Sequence, residues 1–163
     1  MKNENDAGIY WHEQQHEHYQ AASGYVELQM HQDAWNELNK LDPAIQSLRP
    51  LLALKIVIYY QLRDWESMQA TARKLVKLNP DDARWKVSEA FATLRLNGIE
   101  AGKEILEKAN EIHPNEPLIL YNLSCYESQL GNLESSKEYF KQAMQVNPHF
   151  HEFALEELRL ESL

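Results

Sequence analysis

Apolar residues recur every three or four positions along most of this chain, in stretches separated by short polar or proline-containing breaks. This spacing places apolar side chains on one face of an α-helix, and such a face packs against other helices. The pattern predicts eight helices in four pairs, near residues 9–29 and 32–41, 50–62 and 65–78, 83–96 and 100–112, and 118–130 and 133–146.

The breaks between these helices are of two kinds. Within a pair they are short and rich in turn formers, at residues 63–64, 97–99 and 131–132. Asp and Asn cap the following helix and Gly ends the preceding one in a left-handed conformation, so each pair is predicted to be a helical hairpin. Between pairs lie Pro80, Pro114 and Pro148, which cannot continue a helix. At the first boundary Pro43 ends its helix early, and a longer connector precedes Pro50.

The chain also resembles itself at a regular step along the sequence. One column of this repeat is leucine in every copy, at Leu28, Leu62, Leu96 and Leu130. We expect this column to lie in the core, where truncation to alanine costs about 2–5 kcal/mol. Small residues fill two other columns in three of the copies, at positions 22 and 34, 90 and 102, and 124 and 136. They are predicted to lie where the two helices of a pair cross most closely, since only small side chains permit that approach.

Such a repeat is the signature of a stack in which each unit buries its apolar face against the next. We expect a flexible N-terminus over residues 1–8 and a solenoid over 9–150, followed by a capping helix over 151–163. The repeats of the solenoid are placed at about 15–48, 49–82, 83–116 and 117–150. The cap is predicted from an amphipathic pattern, with Phe153 and Leu158 on one side and mostly glutamate on the other.

The fourth copy closely resembles the tetratricopeptide repeat (TPR). It has Leu123-Ser124 where the family has its Leu-Gly pair and Gly131-Asn132 at the hairpin, followed by Phe140, Ala143 and Pro148. It departs from the family at Leu120, where the family often has Trp, and at Glu127, where the family often has Tyr. The resemblance covers roughly residues 15–150 and implies an all-α, right-handed α-solenoid of four TPR-like hairpins.

Charge and cysteine content limit the expected partners and location of the protein. The formal net charge is −9, so phosphate backbones and anionic lipid would repel the chain, and we expect neither nucleic acid nor membrane as a partner. The single cysteine, Cys125, allows no internal disulfide and favours a reducing compartment. The polar start of the chain does not look like a signal peptide, and a cytoplasmic location is expected.

The TPR resemblance implies a concave groove, formed by the first helix of each pair, that takes a peptide or a helix of another protein. Carried over column by column, the second copy would present Ala53, Leu54, Val57, Tyr60 and Gln61. The main candidates across the groove are Tyr60, Arg84, Phe91, Arg95, Tyr121, Asn122 and Gln129. Aromatic and arginine side chains are enriched at binding hot spots. The expected function is a protein-binding scaffold, and whether two copies pair as a homodimer stays open.

Two alternative functions are compatible with parts of the sequence. A TPR-type secretion chaperone for an exported partner fits the size, acidity and repeat count, although no motif selects it. The segment from His12 to His16 matches the HExxH pattern of zinc hydrolases, in which two histidines one helical turn apart hold zinc beside a glutamate base. No region remains for a protease fold, so a solvated polar helix is the preferred interpretation. We therefore expect no enzyme activity, no metal and no cofactor, and we interpret Cys125 as a packing residue.

Overall fold

The computed structural model describes residues 13–148, which form eight α-helices and no strand. The helices are α1 (Glu13–Glu27), α2 (His31–Asn39), α3 (Arg49–Leu62), α4 (Trp65–Leu78), α5 (Ala83–Asn97), α6 (Ile99–Ile112), α7 (Pro117–Gln129) and α8 (Leu133–Val146). A 3-10 helix, Pro43–Ile45, occupies the longer connector between α2 and α3. The predicted all-α class is confirmed. The expected N-terminal tail over 1–8 and capping helix over 151–163 lie outside the described residues.

The chain divides into two compact units, with the boundary inside α4. Unit 1 extends to Thr71, and unit 2 begins at Ala72. In unit 1, α1 packs on α2, and both helices contact α3. In unit 2, α5 packs on α6 and α7 packs on α8, while α7 also contacts α5 and α6. Sequential antiparallel pairing within a hairpin and side-by-side contact of the first helices, α5 and α7, are what a stack of hairpins requires.

The turns within the hairpins have left-handed backbone conformations. Gly98 (φ 97°) and Gly131 (φ 81°) adopt positive φ, where glycine has no Cβ to clash. Arg63 also has a positive φ (57°), in the left-handed helical conformation, and the next residue, Asp64, donates its N–H to the Tyr59 carbonyl at 2.9 Å. These bonds satisfy carbonyl groups that the end of a helix leaves without a partner. The turns therefore lie where the turn-forming residues predicted them.

Small residues line the closest helix crossings, as predicted. Ala22 and Ala34 are completely buried between α1 and α2. A Cβ added to Gly102 of α6 would lie 2.7 Å from the backbone carbonyl oxygen of Ala90 in α5. In the fourth hairpin the Ser136 hydroxyl donates to the backbone carbonyl of Ser124 at 2.9 Å, so this crossing contains a hydrogen bond as well as small side chains.

The leucine column does not lie in the core, and that prediction was wrong. Leu28 is 69% exposed and Leu96 is 38% exposed. Both lie at the end of the first helix of a hairpin, where the chain reverses and no further helical turn follows to cover the side chain. The fully buried leucines lie within both first and second helices, such as Leu51 of α3, Leu123 of α7 and Leu106 of α6.

Candidate binding surface

In unit 2, the exposed side chains of α5 and α7 form the candidate surface. Ile119 and Leu123 of α7 are fully buried in one apolar cluster with Ala90 of α5 and Leu106 of α6. This cluster holds the two first helices side by side. The groove positions of both helices lie outside the cluster, and we call Arg84, Phe91, Arg95, Asn122 and Gln129 together the α5–α7 surface.

These five side chains differ in how far solvent reaches them. Arg84, Arg95 and Gln129 are exposed, whereas Phe91 and Asn122 are half-buried. The Asn122 side-chain amide donates to the Leu118 carbonyl one turn earlier, at 2.8 Å, which fixes the orientation of the amide. The surface therefore offers one aromatic ring together with amide and guanidinium groups.

The charge of Arg84 is compensated within its own loop. Its Nε and Nη2 atoms donate to Oδ1 and Oδ2 of Asp82, at 2.9 and 2.6 Å. Asp82 also caps α5 by accepting the Arg84 backbone N–H. The side-chain hydrogen bond to Asp82 raises the pKa of the Arg84 guanidinium. Sequence reasoning named Arg84 as a cation and missed Asp82, although an aspartate at the N-cap two residues earlier was the available signal.

Two residues assigned to the groove are buried instead. Tyr121 lies in an apolar cluster with Leu120 and Ala143, against which Phe140 packs, so its ring is part of the core. Leu54 is likewise buried in the core of unit 1. Transfer of family positions assigns each residue to a face of its helix, but the neighbouring side chains decide how much of that face is covered.

The carboxylates of α5 and α7 are turned away from the surface and paired. Glu89 of α5 is buried and bonds Arg73 and Lys86, at 3.1 and 3.2 Å. Glu127 of α7, which replaces the tyrosine common in the family, bonds Lys103 of α6 at 2.7 Å. The one carboxylate in each of α5 and α7 is therefore paired with basic side chains.

Glu127, like Glu89, has a partner on each carboxylate oxygen. Its second oxygen accepts the side-chain amide of Asn132, at 2.7 Å, so the residue ties α7 to α6 and to the hairpin turn. Burial acts to raise the pKa of this carboxyl group, but the hydrogen bonds from Lys103 and Asn132 outweigh burial, and the pKa is lowered. Glu127 is therefore a charged structural residue of the hairpin.

In unit 1, Tyr60 belongs to a second exposed face. We call Ala53, Val57 and Tyr60, one helical turn apart on α3, the α3 stripe. Val57 is 40% exposed and Tyr60 is 46% exposed, while Ala53 is half-buried. The Tyr60 ring meets the Trp65 ring edge-on, with 6.0 Å between centroids.

The described part of the HExxH segment is engaged in local polar contacts. His12 lies outside the described residues. The ring of His16 is hydrogen-bonded to the Gln20 side chain at 2.8 Å. His18 contacts Glu37 of α2, with 2.7 Å between Nδ1 and Oε2. Across residues 13–148, no three His, Cys, Asp or Glu side chains are placed to hold one metal ion.

Cys125 is half-buried and packs against both apolar clusters of unit 2. Its surroundings are those of a small packing residue.

Between residues 13 and 148, every helix is too short or too polar to cross a membrane.

The fourth hairpin and the fold of the chain both resemble known proteins. Residues 118–150 match the family profile of the tetratricopeptide repeat. No curated protein sequence matches the chain. The structure resembles that of MamA 41-end from Desulfovibrio magneticus RS-1 with a TM-score of 0.65 and 20% identity, over 82% of this chain and 76% of that one.

Two other solved structures are similar. A crystal structure of MamA matches with a TM-score of 0.67 and 13% identity, covering 85% of this chain and 81% of that one. YrrB, described as a TPR protein with an unusual peptide-binding site, matches with a TM-score of 0.62 and 18% identity, covering 87% of this chain and 73% of that one.

These findings define a class of protein, the all-α helical-repeat solenoids. Within that class, the fourth hairpin is a tetratricopeptide repeat, and the chain has the fold of TPR proteins. The resemblance predicted from the fourth copy is confirmed.

Proposed function

We propose that this chain is a non-catalytic scaffold that binds another protein or a peptide through the exposed faces of its first helices. A helical-repeat fold supports this function because stacked first helices present one extended surface. The name of the similar structure YrrB, a TPR protein with a peptide-binding site, points in the same direction.

The α5–α7 surface is the observation that carries the proposal. Phe91 offers an apolar contact, and Asn122 and Gln129 offer amide groups that can bond the backbone of an extended peptide. Arg95 is an exposed guanidinium group at the hairpin end of α5, and the carboxylates of Glu89 and Glu127 are paired on other faces of α5 and α7. A binding surface typically gains most of its affinity from a few such aromatic and arginine side chains.

Affinity capture followed by titration tests the proposal. The captured partner is purified and titrated against the wild type, Phe91→Ala and Gln129→Ala. Phe91→Ala should weaken binding by about 1–3 kcal/mol, or roughly 5- to 150-fold in Kd. Far-UV circular dichroism should show unchanged helical content, because Phe91 is only half-buried.

The matched control is Lys137→Ala on α8. Lys137 is exposed, and its ammonium group pairs with Glu134 of the same helix at 3.0 Å. This variant should bind like the wild type. If Lys137→Ala abolished binding and Phe91→Ala did not, the second helices would form the binding surface and the proposal would fail.

A further inference from the structure

An ion pair joins the helices at each of the two boundaries between hairpins in unit 2. Arg73 of α4 is bonded to Glu89 of α5 at 3.1 Å, and Lys103 of α6 is bonded to Glu127 of α7 at 2.7 Å. In both pairs the base lies on a second helix, and the buried carboxylate lies on the first helix that follows it. These ion pairs therefore mark the contact through which a first helix stacks on the preceding hairpin.

The two pairs occupy neighbouring rungs of the same kind of antiparallel contact. In the repeat, Arg73 corresponds to Glu107, which lies one turn after Lys103, and Glu89 corresponds to Leu123, which lies one turn before Glu127. In antiparallel helices, one turn forward on the first partner faces one turn back on the second. Both pairs thus fit one helix arrangement, and an ion pair occupies one of the two rungs at each boundary.

Helix α8 carries a base at both rung positions. Lys137 corresponds to Lys103 one repeat earlier, and Lys141 corresponds to Arg73 two repeats earlier. Both lysine side chains are exposed, and Lys137 meets Glu134 of its own helix at 3.0 Å. An ammonium group has three donors, so this contact leaves room for a second carboxylate. The last described helix therefore has two bases in the positions that face a following first helix.

The matching carboxylates are present in the next part of the sequence. Residues 151–163 lie outside the described residues, but their positions in the repeat follow from the numbering. Glu161 corresponds to Glu127 one repeat earlier, and Glu157 corresponds to Glu89 two repeats earlier. Both rungs thus have an acidic residue on the side opposite α8.

An apolar contact recurs together with the charges. Ile119 of α7 and Leu106 of α6 are fully buried in one cluster at the boundary between the third and fourth hairpins. One repeat later these positions are Phe153 and Phe140. Phe140 of α8 is only half-buried, whereas its counterpart Leu106 is completely covered. A first helix on α8 would bring Phe153 to Phe140 and complete the same packing.

We propose that residues 151–163 pack on α8 as a further first helix, held by the ion pairs Lys137–Glu161 and Lys141–Glu157. The apolar pattern of the segment predicts only that it covers an end of the stack, whereas the repeat positions name the residues that hold it there. Removing one partner of a buried ion pair is strongly destabilising, so each pair favours this register of the segment over others. The inference goes beyond the proposed scaffold function, because neither ion pair involves the α5–α7 surface.

A second copy of the chain fits the same face of α8 less well. The first helix of a copy stacked head to tail would be α1, which has Ala21 and Tyr25 at the two carboxylate positions. Neither side chain can form an ion pair with Lys137 or Lys141. The charges of α8 therefore select the segment of its own chain.

Zero-length cross-linking of the full chain tests the contacts. A carbodiimide activates a carboxylate, and a lysine amine in contact with it forms an amide while the reagent leaves as its urea. Digestion and mass spectrometry should find Lys137 joined to Glu161 and Lys141 joined to Glu157. Links from Lys141 to Glu156 should be at least about tenfold rarer, because adjacent residues of a helix point about 100° apart. A mixture of unlabelled and ¹⁵N-labelled chains distinguishes links within one chain from links between copies.

Charge reversal and rescue test whether these contacts hold the segment in place. Hydrogen exchange is measured by mass spectrometry on peptides from residues 151–163. Glu161→Lys should speed their exchange by about fivefold or more, because it places like charges together. Lys137→Glu combined with Glu161→Lys restores opposite charges and should restore slow exchange. Glu156→Lys is the matched control, and its exchange should stay within about twofold of the wild type.

Three results would overturn the inference. The first is that Lys137 and Lys141 are cross-linked only to carboxylates of α8. The second is that their links to Glu157 or Glu161 join labelled to unlabelled chains, which would make a second copy the occupant. The third is equal exchange in the reversed and rescued variants. In each case partner binding that depends on Phe91 would be unaffected, so the scaffold proposal is tested separately.

Discussion

Gly102→Ala offers a sharp test of the packing between α5 and α6. In an ordinary helix this substitution is stabilising, because alanine has the higher helix propensity by about 1 kcal/mol. Gly102 is not in an ordinary position. An added Cβ would lie 2.7 Å from the Ala90 carbonyl oxygen, 2.9 Å from Leu94 Cβ and 3.2 Å from Tyr126 Cε2.

The structure sets the sign of the effect. The first two of these atoms belong to the backbone of α5 or are bonded directly to it, so they cannot rotate away, and the two helices must separate. Overpacking of this kind costs about 1–3 kcal/mol, and forced movement of backbone places the site at the upper end of that range. After the gain in helix propensity is subtracted, we expect the free energy of unfolding to fall by about 1–2 kcal/mol. The melting temperature should fall by about 2–4 °C for each kcal/mol.

Urea unfolding followed by circular dichroism measures this loss, and Gly24→Ala is the internal control. Gly24 lies inside α1, and an added Cβ there meets nothing within 4 Å. The control should therefore gain about 0.5–1 kcal/mol from helix propensity alone. If Gly102→Ala were as stabilising as Gly24→Ala, the close approach of α5 and α6 would be refuted.

The burial and charge of other residues lead to two more predictions. Leu106→Ala, at a fully buried site, should lower the free energy of unfolding by about 2–5 kcal/mol in the same urea assay. Leu96→Ala, at a partly exposed helix end, should lower it by less than about 1 kcal/mol. Equal losses would contradict the difference in burial between the two leucines. The pKa of Glu127 is lower in the folded state than its ordinary value of 4.5, so its stabilising contribution is present above that pH and is lost as the pH falls through the folded-state pKa. Urea midpoints measured from neutral pH down to about pH 3 should therefore fall less steeply for Glu127→Gln than for the wild type. An identical dependence of the midpoint on pH would show that the bond to Lys103 does not favour the ionised form of Glu127.

The helical pairs could be read from the sequence because their signals are local. Apolar spacing, proline and turn-forming residues act within a few positions of the chain, and a repeated pattern reinforces each one. The small residues at the helix crossings were also predictable, since two helices can approach closely only where side chains such as those of Ala90 and Gly102 are small. The fourth copy was sufficient to identify the TPR fold.

Tertiary structure decided the degree of burial. Periodicity shows which side of a helix a residue occupies, but it does not show where the covering neighbour ends. This is why Leu28 and Leu96, at the ends of helices, are exposed, and why Tyr121 is buried although its column belongs to the groove.

Charge pairing was likewise beyond the sequence, because an ion pair depends on which rotamers bring two side chains together. Glu89 is bonded to Arg73 of the preceding helix, and Glu127 is bonded to Lys103 of the preceding helix. The sequence by itself determined that this chain is a stack of helical hairpins. Only the packed structure showed that acidic residues of α5 and α7 are paired away from the candidate surface and that α3 exposes an apolar stripe, because both depend on contacts between helices.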